Sequence, residues 1–157
     1  MDNVNIAHQR LHNQKLLGTA FTRPAEVVAY LGAVQAQDYI GAKWAVAQRA
    51  NGLTDAEIDQ AFANGDILRT HLMRPTWHFV TPADIRWLLM LTAPRVHAAS
   101  AFMYRQLELD QAIIKKSYAV LEKTLRGNKQ LTRTELGSAF EKAGIIASGQ
   151  RLSYFMM

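Results

Sequence analysis

The segment Ile67–Val80 reads ILRTHLMRPTWHFV and decides the fold, because it holds two short runs rich in β-forming residues. We predict strands over Ile67–Leu72 and Thr76–Val80, separated by a turn at Met73–Pro75. Side chains alternate between the two faces of a strand, so the hairpin should have one apolar and one polar face. The expected apolar face holds Leu68, Leu72, Trp77 and Phe79, and the polar and cationic group comprises Arg69, Thr70, His71, Arg74, Thr76 and His78.

Four short helices are predicted before this hairpin, over residues 5–17, 22–32, 42–50 and 54–65. Thr22 is expected to cap the second helix, with Pro24 in its first turn. Thr54 and Glu57 form the pattern of a capping box for the fourth helix. Short helices followed by a two-stranded hairpin are the order of elements in a winged helix-turn-helix. We therefore predict a first winged-helix unit over residues 1–80.

The rest of the chain is predicted to be helical. A helix is predicted to start at Pro82, with Thr81 as its cap, and to end or kink at Pro94; two more helices follow over residues 95–109 and 111–126. Thr132 and Glu135 form another capping-box pattern, for a helix that stops at Gly144, and a last helix begins near 148–150. These elements predict a connector over 81–130 and, over 131–157, the start of a second winged-helix unit. No hairpin follows and the chain stops in apolar residues, so we expect the front part of a longer protein. The expected class is mainly α with a small β-hairpin.

Composition narrows the function classes. The 157 residues include 18 Lys and Arg against 13 Asp and Glu, a net charge of +5 that lies entirely in residues 81–157. A mild basic excess is compatible with a nucleic-acid partner. The chain has no cysteine, which excludes a disulfide framework, a thiolate zinc site and a cysteine nucleophile and fits a reducing compartment such as the cytoplasm. No apolar run reaches the length of a membrane span.

The stretch Val34–Asp38 contains a glutamine pair, Gln35 and Gln37, around one alanine. In an extended segment the two carboxamides point the same way. A carboxamide does not take up a proton near neutral pH, but it can orient a water molecule and stabilise nearby positive charge. Such a pair suits a reaction whose leaving group is already activated. The alternative is that Asp38 caps the next helix and the glutamines are surface or turn residues.

Other clusters have less specific interpretations. The polar group of the hairpin could bind phosphates, or it could be a solvated face with one or two buried histidines. The basic cluster after residue 110 could be a solvated face or a phosphate contact; it comprises Lys115, Lys116, Lys123 and Arg126. His8 and His12 share a helix face but lack a third ligand, so we expect no metal. We expect Trp44, Trp77 and Trp87 to lie in the core.

The segments Leu31–Asp38, Arg69–Val80 and Thr81–Asp84 resemble a bacterial winged-helix DNA-binding family. That family includes the DNA glycosylases of interstrand-crosslink repair and azinomycin self-resistance. The resemblance covers roughly residues 8–157 and implies tandem winged helices around a DNA channel. It also implies that a Gln–x–Gln or Gln–x–Asp motif is catalytic, which corresponds to Gln35 and Gln37 here.

The resemblance implies a monofunctional DNA glycosylase that hydrolyses the N-glycosidic bond of cationic N-alkylated purines, crosslinked ones included. Duplex DNA is the expected partner, and no cofactor, metal or membrane is required. Two alternatives stay open. One is a non-catalytic winged-helix DNA-binding module such as a regulator, and the other is an interaction module that touches no nucleic acid. Nothing in the sequence indicates the oligomeric state.

Overall fold

The computed structural model describes residues 3–18, 21–74 and 76–157. Its eight helices within these ranges are α1 Asn3–Asn13, α2 Pro24–Leu31, α3 Tyr39–Ala47, α4 Asp55–Ala63, α5 Ile85–Gln106, α6 Gln111–Leu125, α7 Arg133–Lys142 and α8 Gln150–Phe155. Its three strands are β1 Val34–Gln35, β2 Leu68–His71 and β3 Trp77–Val80. The expected class, mainly α-helical with a small β-sheet, is confirmed. The chain divides into two compact units, residues 1–96 and 97–157.

The core of the first unit lies where α2, α3, α4 and the sheet bury their apolar side chains. Its fully buried members include Val27, Val46, Ile58, Ile67 and Phe79. Phe79 contacts the rings of Tyr39 and Phe62, with centroids 5.7 and 4.8 Å apart. This aromatic packing holds the central strand against α3 and α4.

The helix starts follow local capping chemistry. The predicted capping box of α4 is present, since the Thr54 hydroxyl accepts from the Glu57 amide at 3.3 Å and the Glu57 carboxylate accepts from the Thr54 amide at 2.7 Å. The prediction that Thr22 caps α2 is wrong, because Arg23 occupies the cap position and the Glu26 carboxylate accepts from the amides of Thr22 and Arg23. The helix predicted from residue 42 begins at Tyr39.

The sheet contains one strand more than the predicted hairpin. Both hairpin strands are present, although Pro75 of the predicted turn lies outside the described residues. Strand β1 pairs with β3 as well, which gives the antiparallel order β1-β3-β2. A strand of two residues leaves too short an alternation to be detected in the sequence. The sheet therefore brings Val34–Gln35 beside the hairpin.

The register of the hairpin corrects the predicted assignment of its faces. Arg69 lies opposite Phe79, and His71 lies opposite Trp77. Because directly opposed residues of neighbouring strands share a face, Arg69 and His71 lie on the aromatic face, contrary to the prediction. Thr70 and His78 oppose each other and share the second face. The error arose because alternation within each strand does not say how two strands align.

The second unit is built from helices around a separate core. Buried members of this core are Leu109, Leu136, Phe140, Ile145, Ala147 and Phe155. Asp110 caps α6, and the predicted box of Thr132 and Glu135 caps α7. Helix α5 begins at Ile85 rather than at the predicted Pro82. It continues to Gln106 with Pro94 inside it, so the prediction that a helix ends at Pro94 is wrong. Among the described residues, no helix combines the length and the apolar character needed to cross a membrane.

Candidate functional site

The glutamine pair lies at the edge of the sheet, beside the hairpin. Gln35 is the second residue of the edge strand β1 and lies opposite His78 of the central strand. Both Gln35 and Gln37 are exposed. The pair and the hairpin are therefore neighbours, and the carboxamides are open to solvent rather than buried in the helical core.

Gln37 takes part in the hydrogen bonding of the sheet edge through its side chain. The Ala36 amide donates to the Trp77 carbonyl oxygen at 2.7 Å, which continues the ladder one residue past β1. The Trp77 amide in turn donates to Oε1 of Gln37 at 3.3 Å. This bond orients the Gln37 carboxamide and leaves its Nε2 group and a second lone pair on Oε1 for another partner.

Arg69 holds the peptide between the two glutamines. Its Nε and Nη2 atoms donate to the Ala36 carbonyl oxygen at 3.2 and 2.8 Å. The guanidinium also lies 4.7 Å from the Trp77 ring centroid and 5.4 Å from that of Tyr39. Stacking on two rings and donation to one oxygen fix the planar fork in a single orientation. The half-buried Arg69 thus supports the glutamine segment from the aromatic face of the sheet.

A charged cluster formed by Lys43, Asp55 and Asp59 lies beside Tyr39. The buried Lys43 ammonium contacts Oδ1 of Asp55 at 2.6 Å and both Asp59 oxygens at 3.0 and 3.1 Å. The Tyr39 hydroxyl donates to Oδ1 of Asp59 at 3.1 Å. Hydrogen bonds from Lys43 and then Tyr39 lower the pKa of Asp59, and hydrogen bonds to Asp55 and Asp59 raise the pKa of Lys43. The cluster connects α3 to α4 and was not predicted, because the sequence gives no signal for contacts between elements.

Burial raises the pKa of the Tyr39 hydroxyl, and its hydrogen bond to the Asp59 carboxylate adds to this effect. Tyr39 therefore stays protonated at neutral pH and continues to donate to Asp59. This keeps its ring in place beneath Arg69. The support of the glutamine segment thus extends from Arg69 through Tyr39 to the charged cluster of α3 and α4.

The remaining polar residues of the hairpin differ in exposure. Arg74 is exposed at the turn, with a φ of +50°. His71 is half-buried and its ring stacks on Trp77, with centroids 3.8 Å apart. His78 is buried, and its Nδ1 lies 2.9 Å from the Thr76 carbonyl oxygen. Thr70 and Thr76 are half-buried, and the Thr76 hydroxyl donates to the Met73 carbonyl oxygen at 2.6 Å. Arg74 is thus the member of the group with the most open side chain.

Asp38 acts as a helix cap, as the alternative interpretation of this segment predicted. Its Oδ1 accepts from the Gly41 amide at 3.2 Å at the start of α3. A Cβ atom at position 41 would lie 2.6 Å from Oδ2 of Asp38, so any larger residue there would require the capping carboxylate to move. The carboxylate next to Gln37 is thus hydrogen-bonded to the first turn of α3. The two exposed carboxamides beside this cap can orient water and face positive charge.

Two tryptophans expected in the core lie on the surface instead. Trp44 is 65% exposed and Trp87 is 51% exposed. The Trp87 indole donates to Oδ1 of Asp84 at 2.8 Å, which fixes the ring beside the start of α5. The prediction was wrong because residue type favours burial on average, while the packing of neighbouring elements decides it for each side chain.

The two histidines of α1 lie four positions apart on this helix. His8 and His12 are both exposed on this helix. Over residues 3–18, 21–74 and 76–157, no group of three or more His, Cys, Asp or Glu side chains has an arrangement that could hold a metal ion.

Comparison with known proteins gives two matches. The family model described as DNA glycosylase AlkZ-like matches residues 28–156. The solved structure of Streptomyces sahachiroi DNA glycosylase AlkZ aligns with a TM-score of 0.69 and 24% sequence identity. This alignment covers 93% of the present chain and 41% of the other, so the chain spans less than half the length of that protein. A search of curated proteins finds no match.

Proposed function

The chain belongs to the AlkZ-like DNA glycosylase family, and from this premise we propose that it acts in DNA repair as a monofunctional glycosylase. Its substrates are cationic N-alkylated purines in duplex DNA, crosslinked ones included. The observation that carries the proposal is the exposed pair of Gln35 and Gln37 at the sheet edge, where the Trp77 amide orients the Gln37 carboxamide and Arg69 holds the Ala36 carbonyl oxygen between the two glutamines. Positioned dipoles of this kind stabilise developing charge without having to reorient during the reaction.

The reaction suits carboxamides because its leaving group is already activated. Alkylation at N7 places a positive charge on the purine and weakens the bond from the base to C1′ of the sugar. When that bond breaks, its electron pair goes to the base, which leaves as a neutral molecule, and the sugar becomes oxocarbenium-like. Water adds to C1′ and loses its proton to solvent. No protein group has to donate a proton to the base, because the alkylated base is already cationic and leaves as a neutral molecule.

The two glutamines have distinct roles in this proposal. Gln35, exposed on the edge strand, orients the attacking water. Gln37, whose Oε1 already accepts from the Trp77 amide, turns its remaining lone pair toward the cationic sugar. We propose that the hairpin is the DNA-binding element; its predicted group comprises Arg69, Thr70, His71, Arg74, Thr76 and His78. The exposed Arg74 would make the direct phosphate contact, and the half-buried and buried members would shape the hairpin that presents it.

The order of elements supports a winged helix-turn-helix in residues 1–80. Strand β1 lies between α2 and α3 in the chain, the hairpin follows α4, and the sheet order is β1-β3-β2. We propose that 81–130 form a connector and that 131–157 belong to a second unit of the same kind. The helix before the hairpin, α4, carries Asp55, Glu57 and Asp59, so reading of bases by this helix in the major groove is disfavoured. We also propose a cytoplasmic location, because a bacterial chromosome lies in the cytoplasm and the matched Streptomyces protein is bacterial.

Base release from alkylated DNA tests the proposal. The 157-residue chain is incubated with a duplex containing N7-methylguanine, and the free base is quantified by chromatography. Replacing Gln35 by alanine should lower the rate by about 10²–10³-fold, the typical cost of one positioned group in a transition state. Gln37→Ala should be equally damaging, whereas Gln37→Asp should retain release, because a carboxylate also accepts from the Trp77 amide.

Gln48→Ala is the matched control, since Gln48 is an exposed glutamine of the same unit at the end of α3. Its rate should equal that of the unmodified chain. Binding to the same duplex is measured by fluorescence anisotropy, so that a loss of affinity is not mistaken for a loss of turnover. Equal rates for Gln35→Ala, Gln37→Ala and Gln48→Ala would refute the catalytic role of the pair.

A non-catalytic DNA-binding module is the second candidate. The observation in its favour is that Gln37 and Asp38 both satisfy backbone amides, of Trp77 and Gly41 respectively. These bonds would suffice to explain both side chains without chemistry. This candidate predicts binding to plain and alkylated duplexes with equal affinity and no release of base from either.

A further inference from the structure

A cleft between α6 and α7 gathers four lysines in the second unit. Its volume is about 540 Å³, and its lining consists of Lys116, Lys123, Lys129 and Lys142 together with Ala119, Val120, Thr124, Ala139 and Ala143. Lys116 and Lys123 come from α6, Lys142 from the end of α7 and Lys129 from the loop between them. Small apolar side chains form the remaining walls, so ammonium groups supply the charge of the cleft.

Within the part of the chain that the structure describes, these ammonium groups have no carboxylate partner. Among the described residues, none of the four lysines lies within 4 Å of a carboxylate oxygen. The acidic residues of α6 and α7 include Glu122, which pairs with Arg126 at 3.6 Å, and Glu135, which accepts from the Thr132 amide at 2.6 Å. Residues 97–157 contain nine Lys and Arg against five Asp and Glu. The cleft is therefore an unbalanced cationic surface in the more basic part of the chain.

The chemistry of the lining indicates which anion fits. Lysine ammonium groups act as hydrated point charges, whereas aromatic rings and arginine forks are the groups that stack on bases or grip a single phosphate in two places. The lining residues include neither. Several separate point charges along an open cleft suit a polyanion with regularly spaced charges, because its binding releases the condensed counterions of many phosphates.

We propose that the lysine cleft, defined by Lys116, Lys123, Lys129 and Lys142, binds the phosphodiester backbone of DNA irrespective of base sequence or damage. This inference rests on the proposed function, since it takes DNA as the partner. It divides the basic cluster identified in the sequence: Lys116 and Lys123 line the cleft, whereas Lys115 does not line it and Arg126 pairs with Glu122. In this proposal the lysine cleft raises the affinity for DNA, and the glutamine pair catalyses release of the base.

The test compares two double variants with the same change of net charge. Lys123→Gln with Lys142→Gln alters the cleft, and Lys115→Gln with Arg126→Gln removes two cations outside it from the same unit. Affinity for an undamaged duplex is measured by anisotropy over a series of salt concentrations. The slope of log affinity against log salt should fall in magnitude by about 1.8 for the cleft variant, at about 0.9 for each phosphate that is no longer neutralised, and remain close to the unmodified value for the control.

Equal slopes for the two double variants would overturn the proposal. So would displacement of DNA by inorganic phosphate that depends on Lys123 and Lys142, because that result would identify a site for small free anions. Circular dichroism checks that each variant is folded, and the single change Lys129→Gln, in the loop, should by itself lower the slope by about 0.9. Since the duplex is undamaged, a failure of base release in the unmodified chain leaves this measurement intact.

Discussion

At the scale of the single residue, Arg69 contacts the backbone of the glutamine segment and two aromatic rings. The sequence places it in a polar group expected to meet phosphates, yet its guanidinium donates twice to the Ala36 carbonyl oxygen and stacks on Tyr39 and Trp77. It therefore holds the backbone between Gln35 and Gln37, and we propose it as a positioning residue for the pair. Arg74, five residues later, has the opposite character, because it is exposed at the turn.

Substitution of Arg69 should lower the stability of the fold and the rate of base release, whereas substitution of Arg74 should lower the affinity for DNA. Arg69→Ala should destabilise the fold by about 1–3 kcal/mol, because the Ala36 carbonyl oxygen loses charged donors, and it should lower kcat for base release. Arg69→Lys should fail to restore kcat, since an ammonium lacks the planar fork. Arg74→Ala should leave stability unchanged and weaken DNA binding. Urea denaturation, kinetics and anisotropy measure these effects; full activity of Arg69→Lys would contradict the positioning role.

At the scale of elements, capping explains where the helices begin. Thr54 and Thr132 each accept from the amide three residues on, and the glutamates at those positions bond back to the threonine amides. The patterns were visible in the sequence because both partners lie within one turn. The strand β1 had no such local signal, and α5 passed through Pro94.

Removal of the α7 cap should weaken the second unit. We expect Thr132→Ala to cost about 0.5–2 kcal/mol of stability, because the Glu135 amide loses its acceptor. Thr134→Ala is the matched control, since Thr134 is an exposed threonine inside the same helix. The free energy of unfolding from urea titration measures both. A Thr134→Ala variant as unstable as Thr132→Ala would show that capping is not the cause.

At the scale of the whole molecule, several carboxylates are held in their charged form. The pKa of Glu26 is lowered by its bonds to Arg23 and Thr22, and the backbone amides of Thr54 and Thr132 lower the pKa of Glu57 and of Glu135. The pKa of Asp84 is lowered by its bonds to Trp87 and Thr81. A carboxyl group whose pKa is depressed by folding stabilises the fold only while it is ionised.

The melting temperature should therefore fall as the pH is lowered into the acid range. Above the ordinary glutamate value of 4.5 the contribution is fully present, and it is lost as pH falls below that value through the depressed pKa. Scanning calorimetry at decreasing pH measures the loss. The double variant Glu57→Gln with Glu135→Gln should be less stable at neutral pH and show a shallower decline in acid, and a decline parallel to that of the unmodified chain would contradict this account.

The sequence by itself determined the features whose partners lie close along the chain. These are the mainly helical class, the two capping boxes, the hairpin strands and the family resemblance carried by the glutamine and hairpin motifs, which the family match confirms. Each depends on side chains within a few residues of one another, where backbone geometry fixes their relation. The roles of Gln35 and Gln37 remain a prediction.

Only the tertiary structure decided the register of the sheet and what it brings together. The bonds from Arg69 to Ala36 and from Trp77 to Gln37 join residues 33 and 40 positions apart. A shift of one residue in strand pairing would move Arg69 to the other face and break both bonds. The pairing of distant segments is a collective result of core packing around Phe79, so no local pattern of residues specifies it.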